Sequence, residues 1–412
     1  MIYVGIDWSD EDHKVYLTDD SEKRLDAFVI LHTPEGVSEL FARVEKFAKS
    51  VDDVLFAVEK PSGLLVSAIL DRGFTLYPIN PKAVDRYRDR FKVSGKKDDF
   101  FDARVLANIL RTDRHIHKPL IPDSPVCRNL KILTRQYESL SRLKRRVMNQ
   151  IISTLKDYYP VALELFGKID QPITIDFLKR FPTAEKFSKL TISQIKNFLK
   201  KHHYPGVEKK ADELFQLAKT PHFQVEEFVV ESRSLYLSTL LTQLKNLMNA
   251  LTTFEHEIEK ILSQHPDKDI FLSLPGSGNL TSAKLIAEFG DDRDRYKKVG
   301  AVQAVAGSCP VTRQSGKYRN VYFRKACIKP FRNATNQFAF NSIKNSQWAK
   351  DRYKKYVDSG KKKTHALRCL SNAWLEVIFA MWKNRSTYDE QKHLKIVKEQ
   401  FQGEISPSFL TC

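Results

Sequence analysis

Lys96-Lys97-Asp98-Asp99-Phe100-Phe101-Asp102-Ala103-Arg104-Val105-Leu106-Ala107 crowds carboxylates into the start of an expected helix. Asp99 and Asp102 stand three residues apart, so a helix puts them on one face. Like charges that close repel, and a surface helix gains nothing from pairing them. A divalent cation between them would turn repulsion into binding, because hard cations take carboxylate oxygens. The alternative is an acidic first turn favoured by the helix dipole. Asp98 rivals Asp99, since one register step exchanges them; Asp99 is preferred because it shares a face with Asp102.

Upstream, Ile2-Tyr3-Val4-Gly5-Ile6-Asp7 reads as a buried strand ending in an acid. Residues 13–18 and 27–31 fit a second and a third strand, and a helix opens at Pro34. Val54-Leu55-Phe56-Ala57-Val58-Glu59 is a fourth strand, again ending in an acid. Residues 63–71 fit a helix stopped by Gly73, and residues 74–79 a fifth strand. Three strands, helix, strand, helix, strand, helix is the order of an RNase H-like domain. Its mixed sheet would bring acids from separate strand ends and a helix to one edge.

Downstream the texture changes. Leu130, Leu133, Tyr137, Leu140, Leu143, Val147, Ile151 and Leu155 recur every three or four residues among Arg and Lys. Leu235, Leu240, Leu244, Leu247, Leu251, Phe254, Ile258 and Leu262 mark a second such run. Both runs predict long amphipathic helices with coiled-coil spacing, forming an antiparallel hairpin around a small helical insert at 168–222. Leu274-Pro275-Gly276-Ser277-Gly278 has the shape of a helix-hairpin-helix turn, which can hold one phosphate on its amides; a plain interhelical turn is the alternative. A basic, mainly helical region follows to about residue 384. The expected domains are 1–123, 124–268 and 269–390, with a tail at 391–412 that is loosely ordered from Lys398 onward.

The chain has 412 residues, 42% hydrophobic, enough for two or three cored domains. Cys127, Cys309, Cys327, Cys369 and Cys412 form no CxxC pair, which argues against a zinc site or a disulfide framework and fits a reducing cytoplasm. Neither a signal peptide nor an apolar run of membrane-spanning length is found, so a soluble, cytoplasmic, nucleoid-associated protein is expected. Net charge is +18. Residues 1–110 carry 16 basic against 20 acidic side chains, whereas residues 311–400 carry 21 against 6. An acidic front on a basic rear suggests metal-centred chemistry delivered to a polyanion.

Four blocks, in order along the chain, then carry a resemblance. They are Val4-Gly5-Ile6-Asp7, Val58-Glu59 followed by Gly63, Lys97-Asp98-Asp99-Phe100-Phe101-Asp102-Ala103, and Leu274-Pro275-Gly276 paired with Gln314-Ser315-Gly316. Together they resemble the DEDD-type insertion-sequence transposases, which include Piv-like DNA invertases and bridge-RNA-guided recombinases. The 168–222 insert, the tail and Ser308-Cys309 depart from the pattern. The resemblance implies a RuvC-like N-terminal domain, a coiled-coil connection and a C-terminal domain supplying a nucleophilic serine, Ser315. It implies that Asp7, Glu59, Asp99 and Asp102 hold Mg2+, or Mn2+ in its stead. Arg313, Lys317, Arg319, Arg324 and Lys325 would bind phosphates around the serine, and Lys361-Lys362-Lys363 would add nucleic-acid affinity. The implied partners are donor and target DNA, a non-coding guide RNA and further copies of the chain, dimer to tetramer, with serine and acids meeting across protomers. A turn serine beside Gly316 is the alternative for Ser315, and Ser308 its nearest competitor. An invertase or junction nuclease without a guide, and a non-catalytic nucleic-acid scaffold, remain the rival functions.

Overall fold

A computed structural model describes residues 1–91, 100–316 and 318–402. The chain divides into two compact units, Met1–Pro122 and Asp123–Cys412.

The first unit is a mixed sheet covered by helices. Its strands are β1 (Ile2–Trp8), β2 (Asp12–Asp19), β3 (Arg24–Leu31), β4 (Val54–Val58) and β5 (Thr75–Pro78), in the order β3-β2-β1-β4-β5. β1, β2 and β3 pair antiparallel, while β4 and β5 run parallel to β1. The helices are α1 (Pro34–Glu45), α2 (Leu64–Asp71), α3 (Pro81–Phe91) and α4 (Phe101–Asp113). The five strands and the order of elements follow the sequence reading, except that α3 was not foreseen. Val4, Ile6, Val15, Leu17 and Phe56 share one core with α1 and α2. Tyr3, Ala57 and Val84 share another with Ala103, Leu106 and Ala107 of α4. Pleat alternation produces this division, because successive strand residues face opposite sides.

Gly5 sits where β1 meets α4. A Cβ there would lie 1.9 Å from the Ala103 carbonyl oxygen and 2.6 Å from the Ala107 nitrogen. Only a glycine on the strand, opposite alanines on the helix, lets the two backbones approach this closely.

The second unit is mostly helical. α5 (Pro125–Tyr158) starts on the Ser124 side chain, which caps Cys127 N–H, with Pro125 at the first turn. Four shorter helices follow: α6 (Pro172–Arg180), α7 (Ala184–Ser188), α8 (Ile192–Lys201) and α9 (Val207–Lys219). α10 (Glu227–Ser263) returns antiparallel along α5, as the Tyr137–Glu255, Gln150–Tyr236 and Arg233–Asp157 contacts show. Near one end of this pair, Val147, Ile151, Leu240 and Leu244 pack with Phe177, Phe187 and Phe198 of the insert. Near the other, Leu130, Ile258 and Leu262 enter a core built on Phe289, Phe331, Phe338, Trp374 and Trp382. Leu235, expected on the packed face of α10, is instead 72% exposed, because it lies five residues before Leu240 and so falls off the stripe that Leu237, Leu240, Leu241 and Leu244 bury.

The remaining helices are α11 (Lys268–Leu272), α12 (Asn279–Phe289), α13 (Val299–Ala306), α14 (Lys329–Asn345), α15 (Gln347–Asp358), α16 (Lys363–Asn384) and α17 (Glu390–Gln402). The tail expected from residue 391 thus begins as helix; residues 403–412 lie outside the described residues. Between α13 and α14 stands an antiparallel ribbon, β6 (Val311–Ser315) and β7 (Tyr318–Tyr322); β7 lies where helix was expected, and β6 lies in a stretch given no element. The turn at Gly276 packs against α14, where a Cβ would meet Asn345 Nδ2 at 2.7 Å. That contact gives the turn a packing role.

Gly5→Ala is expected to destabilise the first unit by about 3 kcal/mol, since a methyl group against backbone cannot be relieved by a rotamer change. Hydrogen exchange should show lost protection in β1 and α4, with α5 and α10 unchanged. Unaltered protection in α4 would refute the close-approach role.

Candidate active site

Asp7 is the penultimate residue of β1, and Glu59 follows β4 directly. These strands are parallel neighbours with Ile6 opposite Val58, so the two acids emerge side by side at one sheet edge. Asp102 occupies the first turn of α4, carried to the same edge by the Gly5 contact. Three of the four expected acids therefore converge. Asp98 and Asp99 lie outside the described residues; α4 itself opens at Phe101 with Phe100 as its N-cap.

The electrostatics of the group are unfavourable by themselves. Burial pushes the Asp7 carboxyl above its ordinary range, and the Asp102 charge pushes it further. Burial likewise raises Glu59, with Asp7 and Asp102 adding to the effect and Arg88 opposing it. Such carboxylates need positive charge. Part of it comes from Arg88 of α3, a residue that the sequence reading passed over. Its Nε donates to Asp102 Oδ1 at 2.7 Å, its Nη1 to Asp85 at 2.9 Å, and its Nη2 lies 3.9 Å from Glu59. Lys14, paired with Asp7 across β1 and β2, adds a second cation. Partly desolvated, mutually repelling oxygens on separate elements fit a divalent cation. Asp7, Glu59 and Asp102 would hold it.

In the second unit Ser315 ends β6, exposed, beside Gly316 at φ 56°. A side chain is strained at that φ, which suits glycine to the turn. Alternation along the ribbon puts Arg313 on the serine's face together with Tyr318, its cross-strand partner. Arg319, opposite Gln314, lies on the other face. Arg324 donates to the carbonyls of Cys309 and Pro310, so it clamps the foot of the ribbon. Lys325 is exposed, Lys317 lies outside the described residues, and Lys361-Lys362-Lys363 lead into α16. Ser308, the competing serine, is buried, and its hydroxyl donates to Asn372 at 2.8 Å.

Residues 4–160 match a transposase family of DEDD and IS110 type, and residues 268–354 match the transposase IS116/IS110/IS902 family. Over 397 residues the chain is 33% identical to the "Mini-circle putative transposase for IS117" of Streptomyces coelicolor, a match covering 95% of this chain and 96% of that one. The chain belongs to the IS110 family of transposases. More distantly, at 23% identity over 401 residues, it is similar to the uncharacterized 43.6 kDa protein of insertion element IS110 from the same organism, covering 95% of this chain and 96% of that one. At 23% over 395 residues it is similar to the uncharacterized 42 kDa protein of IS900 from Mycobacterium paratuberculosis, covering 94% and 97%. This IS110-family transposase is a DNA transposase or recombinase, and its substrates are DNA. The DEDD family suggests divalent-metal use. No helix among the described residues is long and apolar enough to cross a membrane.

One further cluster of donor atoms in the transposase was not read from the sequence. Cys127, His265 and Asp291 bring one atom each within 4.8 Å of one another. His265 Nδ1 accepts the Asp267 N–H, so in the neutral ring Nε2 carries the proton and offers no lone pair. Burial holds the Cys127 thiol up at about 12, far from thiolate. Asp291 meanwhile accepts the Ser124 N–H and fastens the start of α5. These bonds give His265 and Asp291 local structural roles.

The raised carboxyls make stability pH-dependent. Their contribution is full below the ordinary carboxylate range, about pH 4, and is lost as pH rises through the raised values. Metal-free protein should therefore lose stability in the first unit from about pH 4 toward neutrality. Asp7→Asn should flatten that loss, and an added divalent cation should reverse it. Denaturant titrations across pH test this; a flat wild-type profile would contradict the assignment.

Proposed function

We propose that this transposase has a RuvC-like N-terminal domain whose Asp7, Glu59, Asp99 and Asp102 hold Mg2+, and that Ser315 is the nucleophile that cuts DNA. The observation that carries the reading is the meeting of Asp7, Glu59 and Asp102 at one sheet edge, with two carboxyls raised by burial and mutual repulsion. Bound there, the metal would supply charge to neutralise phosphoryl oxygens during displacement. Arg88 holds Asp102 and balances the acids before loading.

In the proposed chemistry Ser315 Oγ forms a bond to the scissile phosphorus while the bond from phosphorus to the leaving deoxyribose oxygen breaks. The proton released by the serine ends on that oxygen. The product is a covalent serine–DNA ester, which keeps the energy of the phosphodiester bond so that strands rejoin without ATP. Arg313, on the serine's face of the ribbon, binds the phosphate under attack. Arg319, Lys325 and Lys361-Lys362-Lys363 hold flanking phosphates, as does Lys317. A non-coding guide RNA supplies base recognition, and at least two copies of the chain assemble on the paired DNA ends. The division into catalytic domain, coiled-coil hairpin 124–268 and serine-bearing domain 269–390 is part of the same proposal.

The test is trapping. A suicide substrate should leave DNA on the wild-type protein through denaturant, with the nucleotide on the peptide containing Ser315 by mass spectrometry. Ser315→Ala should yield no adduct yet retain DNA affinity, because phosphate contacts dominate that affinity. Nucleotide on Ser308, or cleavage with no adduct at all, would overturn the serine assignment. Asp7→Asn, Glu59→Gln and Asp102→Asn should each abolish cleavage with the fold intact. Full activity of Asp99→Asn beside an inactive Asp98→Asn would move the fourth ligand to Asp98.

The basic run is tested separately. Neutralising Lys361, Lys362 and Lys363 together should lower the slope of log affinity against log salt by roughly 2–3, about one per lost phosphate contact. An unchanged slope would make the run a solvated loop.

A further inference from the structure

The β6–β7 ribbon is rooted beside a cavity of about 380 Å³. Its wall contains Pro310 before β6, Val321 and Tyr322 at the end of β7, Phe323 just beyond, and His365 and Arg368 from the first turns of α16. One side is thus aromatic and apolar, the other cationic.

The cationic side is built, and its charge is left unanswered. The Arg368 guanidinium lies 4.4 Å from the centre of the Phe323 ring, and that of Arg332 lies 4.6 Å from the same centre, so one phenyl ring braces two cations. Among the described residues Arg368 makes no ion pair. His365 is held below its ordinary range by burial, then by Arg368 and Lys361, with no acidic group opposing them. The cavity also faces the start of a 22-residue helix, whose N-terminus carries positive partial charge. These features select an anion. Tyr322 and Pro310 add surface for a flat ring.

The geometry points to a subsite for one unpaired deoxynucleotide of the DNA lying along the β6–β7 ribbon. Its base packs against Tyr322 and Pro310, and its phosphate meets Arg368 and the start of α16. The volume is near the lower end of the ~300–1,000 Å³ usual for small-ligand sites, which suits a single nucleotide. This rests on DNA being the substrate and is independent of which residue is the nucleophile. Inorganic phosphate shares the anionic half of the chemistry, and a ribonucleotide shares all of it apart from the 2′-hydroxyl.

The test uses the full chain and a DNA pentanucleotide with 2-aminopurine at its centre, which is bound without being cleaved. Protein should change the fluorescence saturably, and a deoxynucleoside monophosphate should reverse the change. Arg368→Gln and Tyr322→Ala should each weaken the response at least about tenfold, the scale of one lost stacking or charged contact. Tyr322 stands on an exposed strand, so its removal leaves the fold intact, and circular dichroism checks both variants. Unchanged titrations in both variants would overturn the subsite. Equally effective competition by inorganic phosphate would reduce it to an anion hole, and tighter binding of the RNA pentanucleotide would assign it to RNA; either outcome refutes the proposal.

Discussion

The approach of α4 to β1 across Gly5 governs the N-terminal unit. Backbone meets backbone there, with room for no side chain on the strand. Were the helix held off by even one methyl group, Asp102 would recede from Asp7 and Glu59, and the acids would relax apart. Thus the crowding of carboxylates, which opposes folding, is enforced by a packing contact made of glycine and alanines. Arg88 and Lys14 lessen the cost without removing it, since Asp7 and Glu59 stay above their ordinary range. A site that must release and rebind substrate benefits from such incomplete compensation, because an acid group fully satisfied by fixed cations has little left to offer.

Much of this was legible in the sequence, and the reason differs by residue. Asp7 and Glu59 were readable because each ends an apolar run of strand length, so their edge position follows from the pattern alone. Asp102 was readable because Ala103, Leu106, Ala107 and Leu110 mark the buried face of its helix. Arg88 was not. Val84, Tyr87 and Phe91 do recur at helical spacing after Asn80-Pro81, but the run is short and strongly charged and was passed over, and two of the partners of Arg88, Glu59 and Asp102, are remote in sequence. The β6–β7 ribbon escaped for a related reason: four residues of β6 and all five of β7 are exposed, and a strand with no buried face carries no alternation. Leu235 shows the opposite error, an apolar residue set five before Leu240 and therefore off the buried stripe.

The long helices show how one amphipathic pattern serves two cores. α5 and α10 run antiparallel, with the insert's aromatic residues gathered near one end and the tryptophan-rich core near the other. Some buried polar groups pair across elements: Glu288 of α12 takes two hydrogen bonds from Arg135 of α5, and Trp374 and Trp382 donate to Ser342 and Gly290. Such pairing fixes the helices' register as well as their contact.

The exposed ribbon has a consequence for timing. Two strands packed against nothing are only marginally stable, and this pair is fastened at its foot, where Arg324 grips the carbonyls of Cys309 and Pro310. Its far end, with Ser315, is exposed on both strands. On the proposed chemistry, the Ser315 hydroxyl carried there would be organised only on arrival of the strand it is to join. Idle molecules would then be slow to react with passing phosphates, and the order in which reactants assemble would become a safeguard against premature cutting.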